Sequence, residues 1–323
     1  MAASALALPR PVRTPRRAVH GVLLLDKPLG VSSNQALQIA KRLFRAQKCG
    51  HTGTLDPLAT GLLPLCFGAA CKFSQLGLDA DKRYRATLKL GVTTTTGDGE
   101  GDAVEVRQVS VAREQLRAVC AQLTGDTEQV PPMHSALKHE GKALYEYARA
   151  AMAVERAPRR ISVYAIDIVD GAGDEWRIDV HCSKGTYIRV LAQDIGNLLG
   201  CGAHLQALRR TGSGSQTLQS ACTLDELAAL DEASRDARLL RPDALLGEAP
   251  LVRLDAGAAA LFLGGVRQRL ELPDAALARV YGPQPHAFLG SAHISGGELI
   301  AKRLLSPTEV QGLPTQTHES RSP

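Results

Sequence analysis

RYRATLKLGV, residues 83–92, alternates without a break: Tyr84, Ala86, Leu88, Leu90 and Val92 share one face, and Arg83, Arg85, Thr87 and Lys89 share the other. A period of two with one apolar face is the signature of a half-buried β-strand. It puts the polar Tyr84 among inward residues, where its hydroxyl needs a partner or a cavity. A second alternating run, 176–183, groups Trp176, Ile178, Val180 and Cys182. It ends in Lys184-Gly185-Thr186-Tyr187-Ile188-Arg189, beyond which Val190, Leu191, Ile195 and Leu198 recur at helical spacing up to a closing Gly200. Upstream, His20 to Asp26 reads as a buried strand and Lys27-Pro28-Leu29-Gly30 as a turn. Ser32, Ser33 and Asn34 then offer N-caps for a helix through about Lys48. Further helices are expected at about 113–123 and 142–153. Strands mixed irregularly with single helices give the α+β class, with a mixed, mostly antiparallel sheet flanked by helices and loops.

The texture changes after about residue 245, where a helix-like AAALFLGGV is followed by short strands around 277–281, 286–294 and 298–305. The expected organisation is a main domain over 18–245 and a small β-rich domain over 246–306. Before them, residues 1–17 interleave Arg10, Arg13, Arg16 and Arg17 with Pro9, Pro11 and Pro15, which prevents an amphipathic helix and reads as a disordered basic arm. The polar stretch 307–323 reads as a disordered tail.

With 323 residues, 44% of them hydrophobic and 22% charged, the chain can bury real cores. Its longest apolar stretch, Leu58 to Cys71, is broken by Gly61, Pro64 and Gly68 and is too short to span a bilayer. Seven cysteines without a CxxC pair argue against a disulfide framework and against zinc, so a reducing cytoplasm fits best. The net charge is +5, and the excess is N-terminal: residues 1–60 hold nine Lys/Arg against two Asp. That permits a polyanionic partner, although a charge excess is equally the mark of a solvated face.

One of those two aspartates stands alone. In GHTGTLDPLATGLLP (50–64), Asp56 is the single charged residue among turn formers, hydroxyls and aliphatics. Pro57 disfavours helix at Asp56, and Gly50, Gly53 and Gly61 permit close approach of backbone to a ligand. An Asp-Pro turn is the bland alternative. The run Gly97-Asp98-Gly99-Glu100-Gly101-Asp102 lacks the ligand order and terminal Glu of a calcium loop and reads as an acidic, flexible loop. No HxE…PCxxC zinc site and no GxGxxG after an early strand is present, so deaminase and dinucleotide-binding readings gain no support.

Six strings together resemble the bacterial tRNA pseudouridine-55 synthases, the TruB family: GVLLLDKPLGVSSN (21–34), GHTGTLDPLATGLLPLCFGAACK (50–72), DKRYRATLKLG (81–91), QVPPMHSALKHEGKALYEYAR (129–149), HCSKGTYIRVLAQDIG (181–196) and CGAHLQALRRTGSG (201–214). The resemblance runs in order through residues 20–214 and implies a pseudouridine-synthase fold followed by a small PUA-like β-barrel. It implies isomerisation of uridine to pseudouridine at position 55 in the tRNA T-loop. The N1–C1′ bond breaks, the uracil turns, and C5 joins C1′, with neither cofactor nor metal required. By resemblance Asp56 is the essential carboxylate, Arg189 its cationic partner and Tyr84 the residue that stacks on the uracil and takes part in proton removal at C5. Tyr187 is expected to position Arg189 or Asp56 through its hydroxyl, and Leu208 to line the base pocket. His51 is expected to fill the gap left by the flipped nucleotide. Lys27, with the basic helix face at 41–48, is expected to hold phosphates. Read without the family, Arg189 is a phosphate-binding or surface arginine, and both tyrosines are core residues with satisfied hydroxyls. His134 departs from the family, where tyrosine is frequent. The expected partner is the tRNA T-arm stem-loop, with no membrane, no obligatory protein partner and a monomeric chain. Two rivals remain: a guide-dependent synthase acting on other RNA, and a tRNA-binding or tRNA-folding protein.

Overall fold

The structure is a computed structural model that describes residues 15–150, 152–283 and 287–313. The alternation at 83–92 becomes the strand Lys82–Leu90, whose even-numbered residues are buried. It is central in a mixed sheet ordered Gly21–Lys27, Ala59–Phe67, Ala203–Ser213, Lys82–Leu90, Glu175–Cys182, Arg159–Ala172 and Gly125–Gln129. Every pairing along that path is antiparallel except the one between Ala59–Phe67 and Ala203–Ser213. Trp176, Ile178, Val180 and Cys182 are all buried, as their alternation predicts, and the helices Arg113–Gln122 and Ile188–Leu198 complete the same core. At about 25 cal/mol per Å² of apolar surface removed from water, burial of this face is what stabilises the nine-stranded sheet.

The strand Ala59–Phe67 has a forked edge. One side pairs along its length with Gly21–Lys27. On the other, Ala59, Thr60 and Gly61 pair with Leu208, Arg209 and Arg210, while Leu65 to Phe67 pair with the short strand Cys49–His51. The connection 52–58 sits in that fork. Gly61 shows why the approach needs glycine: its φ is +99°, and a Cβ there would lie 2.3 Å from the Arg210 carbonyl oxygen.

A five-stranded sheet follows, ordered Leu251–Arg253, Ala275–Tyr281, Phe288–Ser295, Glu298–Leu304 and Gln268–Arg269. It meets the main sheet's layer through Ala69, Phe73, Leu246, Tyr281, Phe288 and Leu305. All seven cysteines are free thiols. Among the described residues no helix is long and apolar enough to cross a membrane.

Four expectations about elements need correction. The first helix is Ser33–Leu43, closed by a Ser32–Gln35 capping box at its start. It stops short of Lys48 because Phe44 turns into the core against Phe67 and Arg45 adopts a positive φ of 51°. The helix expected at 142–153 is only Leu144–Arg149, since Glu140 and Gly141 form a tight turn between Lys138–His139 and Lys142–Ala143. Residues 1–14 of the expected basic arm lie outside the described residues, but Arg17 is tied down by Asp236 at 2.5 Å. The expected tail begins with a helix, Pro307–Gln311, capped by Ser306 and anchored by Lys72 to Glu309 at 2.5 Å; residues 314–323 lie outside the described residues.

Candidate active site

Asp56 leaves the fork on a tightly held loop. The Ser33 hydroxyl accepts from Leu55 N at 2.7 Å and donates to Leu55 O at 3.0 Å, so a buried side chain fixes the residue before the aspartate. Gly30 N donates to Pro57 O at 2.9 Å, and Ala59 N to Asp56 O at 3.0 Å. Arg210 donates to Gly53 O at 3.2 Å. These bonds pin both ends of a short connection, so Asp56 is presented in one backbone geometry. Sequence suggested Ser33 only as a helix cap; its contact with Leu55 depends on a fold that brings residues 22 positions apart together.

The structure brings Asp56 and Arg189 into contact. Arg189, at the first turn of Ile188–Leu198, reaches Asp56 Oδ2 with Nη2 at 3.0 Å. Its side chain is only 6% exposed, and that of Asp56 is 41% exposed. Arg189 also donates to Thr96 O at 3.3 Å and to His134 O. Its second carboxylate partner is Asp98, 3.4 Å from Nη1. Burial pushes the Asp56 carboxyl above the usual range, the Arg189 guanidinium opposes that rise, and Asp98 adds to it. The guanidinium is thus divided between two acids and held by two carbonyls, which fixes its plane.

Asp98 is a site residue that the sequence reading missed, and the expected flexible acidic loop is corrected accordingly. Its carboxylate turns inward, accepting from Thr96 Oγ1 at 2.5 Å and Glu100 N at 3.2 Å. The segment is clamped to the main sheet by Gly99 N to Leu205 O at 3.0 Å and Leu205 N to Gly97 O at 3.1 Å. The signal in the sequence is Thr96, two residues before Asp98, whose hydroxyl satisfies the buried carboxylate.

Asp56, Tyr84, Tyr187, Arg189 and Leu208 all line one cleft of about 370 Å³, with Gly53, Lys82 and Arg210 on its lining as well. The size suits a small-molecule or nucleoside-sized group. Tyr84 faces inward as predicted, its hydroxyl beside the Arg210 guanidinium. Tyr187 is located correctly, but its contact differs from expectation. Gln129 grips the Tyr187 backbone, accepting from Tyr187 N at 2.7 Å and donating to Tyr187 O at 3.2 Å. Tyr187 thus stands, backbone fixed, directly before the helix Ile188–Leu198 that carries Arg189. The part played by His134 also becomes plain: its backbone carbonyl serves Arg189, which any side chain can supply.

Two expectations fail here. Lys27 is not free to hold phosphate. Its side chain is fully buried, with Nζ donating to Pro28 O at 2.9 Å and Val31 O at 2.5 Å, and burial brings its pKa down to about 8. The KPLG turn needs its carbonyls capped, and the lysine folds back to cap them. The basic face at 41–48 is broken up as well, since Lys48 lies beyond the helix and Arg45 pairs with Glu232. His51 lies on Cys49–His51, next in the chain to the loop carrying Asp56 but outside the cleft lining, with a buried Nδ1 that has no partner. Burial and the nearby Arg210 lower its pKa, which favours a neutral ring. Among the described residues no group of three or more His, Cys, Asp or Glu is arranged to hold a metal.

The model for the N-terminal domain of TruB family pseudouridylate synthases matches residues 41–188, and that for the C-terminal domain of tRNA pseudouridylate synthase B matches 189–246. A tRNA pseudouridine synthase B from Cupriavidus pinatubonensis (strain JMP 134 / LMG 1197) is 56% identical, covering 92% of this chain and 97% of its own. Another from Ralstonia pickettii (strain 12J) is 55% identical, covering 92% of this chain and 98% of its own. Among solved structures, an archaeal box H/ACA Nop10–Cbf5 complex superposes with a TM-score of 0.68 at 22% identity, over 93% of this chain and 90% of that one. A Cbf5–Nop10–Gar1 complex gives 0.69 at 23%, over 94% and 93%. At that identity these two speak for the fold alone.

Proposed function

This chain belongs to the TruB family of pseudouridylate synthases, and from that premise we propose that it isomerises uridine to pseudouridine in tRNA, at T-loop position 55. The observation that carries the reading is the 3.0 Å contact between Asp56 and a buried Arg189 in a cleft flanked by two tyrosines and Leu208. In this reading the uridine is flipped out of the T-loop stack into the cleft. The Asp56 carboxylate, kept charged and aimed by Arg189, acts at the ribose, either attacking it covalently or removing a proton. Tyr84 stacks on the uracil and exchanges the C5 proton, Leu208 packs against the base, and the neutral His51 ring fills the vacated stack. Tyr187 steadies the start of the helix that carries Arg189. Bond breaking and making occur within one nucleotide, so the residues named suffice, with no cofactor.

The domain reading accompanies this one: residues 18–245 as the catalytic unit and 246–306 as a PUA-like RNA-binding unit working as a single chain in the cytoplasm. The test is incubation of this chain alone with an unmodified tRNA transcript, followed by mass-spectrometric mapping of pseudouridine. The expected result is conversion confined to the T-loop uridine. Conversion elsewhere, or none without added protein or guide RNA, would overturn it.

A further inference from the structure

Arg210 is a buried cation, 1% exposed, and among the described residues no carboxylate forms an ion pair with it. A buried guanidinium is costly unless its donors are filled. Nε donates to Leu62 O at 2.6 Å and Nη2 to Gly53 O at 3.2 Å. In the pairing of Ala203–Ser213 with Lys82–Leu90 its register partner is Tyr84, and both residues line the cleft. Lys82, another cation on the cleft lining, is taken up by the carbonyls of Gly77 and Ala80. Arg210 lines the cleft at the point where Tyr84 does. The geometry is a fixed cation held by backbone carbonyls and paired across the strands with one phenol.

Resting on the reading above, we infer that Arg210 is the positioning residue that lets Tyr84 serve as the proton relay, by stabilising the phenolate that forms in mid-reaction. The proton count requires such a state. Uridine carries hydrogen on C5 and none on N1, and pseudouridine carries it on N1. Once C5 has bonded to C1′, N1 takes the proton of the Tyr84 phenol and leaves a phenolate. The C5–H bond then breaks, its electron pair restores the C5–C6 double bond as the C6–N1 π pair returns to N1, and the proton goes to the Tyr84 oxygen. Tyr84 begins and ends as a phenol and is anionic between. Burial pushes its acidity the wrong way, and the Arg210 guanidinium is the largest opposing influence. A general acid–base contribution is typically 10²- to 10⁴-fold, so losing the cation should fall in that range.

The experiment replaces Arg210 with Lys, and separately places 2,3-difluorotyrosine, a more acidic phenol, at position 84. The substrate is an unmodified T-arm hairpin under single-turnover conditions. Arg210→Lys should lower the rate about 100-fold with hairpin affinity within about twofold, and difluorotyrosine should restore at least about tenfold of that loss. The same replacement in the unaltered chain should change the rate much less. An equal loss with either phenol, or a loss confined to affinity, would overturn the inference. Arg210→Gln keeps two donors for the carbonyls without the charge and carries the same comparison if the Lys variant does not fold. Failure of both to fold would assign Arg210 to the scaffold and overturn the inference too. If the unaltered chain forms no pseudouridine in the hairpin, the proposed function fails, which is a separate result.

Discussion

Replacing Asp98 by Asn should slow the reaction while shifting its acid limb to lower pH. The carboxylate accepts from Thr96 Oγ1 and Glu100 N with Oδ1 and faces Arg189 Nη1 across 3.4 Å with Oδ2. An asparagine can keep its oxygen on Thr96, but its NH2 then points at a guanidinium, donor against cation. Removing one partner of a buried ion pair costs about 3–5 kcal/mol. Here Arg189 retains Asp56 and two carbonyls, so about 2 kcal/mol is the reasonable share, within the range for an unsatisfied buried group. If that loss falls on the orientation of Asp56 by Arg189, turnover drops roughly thirtyfold. The pH effect runs the other way. Burial raises Asp56, and the Asp98 charge raises it further. Without that charge Asp56 stays ionised to lower pH, so the acid limb moves downward. Single-turnover rates on a T-arm hairpin between pH 5 and 8 read both effects. An unchanged maximal rate, or an acid limb displaced upward, would refute the shared-guanidinium argument.

Arg189→Lys keeps the charge but loses the planar fork that joins two acids and two carbonyls. Turnover should fall by at least about 100-fold with hairpin affinity nearly unchanged, and equal losses in both would indicate a phosphate contact. Lys27→Met should leave the salt dependence of RNA binding unaltered, because the ammonium is occupied by Pro28 O and Val31 O. The same lysine titrates at about 8 in the fold against 10.5 unfolded. The unfolded chain therefore binds more protons between those values, and this group adds stability as pH rises through them. Thermal melts at pH 7 and 9 should show a smaller alkaline gain in Lys27→Met than in the unaltered chain. His134→Tyr should change turnover by less than about twofold, since Arg189 uses only the carbonyl of that residue; a larger change would give the side chain a role.

What could be read in advance was what periodicity and local chemistry encode. The strand at 82–90, the inward Tyr84 and the helix after Arg189 all follow from spacing within a dozen residues, and they are where the spacing puts them. The Asp56 loop stood out because a single acid lay among turn formers. What escaped prediction depends on contacts distant in sequence. Asp98 is buried because Arg189, 91 positions on, needs a second counter-charge, and Ser33 holds Leu55 because the first helix starts against the fork. The phosphate role that the resemblance implies for Lys27 does not fit the folded turn, whose own carbonyls claim the ammonium. Arg210 gave no sign at all: in RRTG it sits next to Arg209, which pairs with Asp26 at 2.6 Å and is far more exposed, so nothing local separates the two.

The most direct measurement compares Asp56→Asn with the unaltered chain on one unmodified tRNA transcript, reading pseudouridine by mass spectrometry and affinity by filter binding. A carboxylate aimed at the ribose by Arg189 predicts no detectable product from Asp56→Asn and affinity within about threefold. Measurable pseudouridine from the asparagine variant would contradict it.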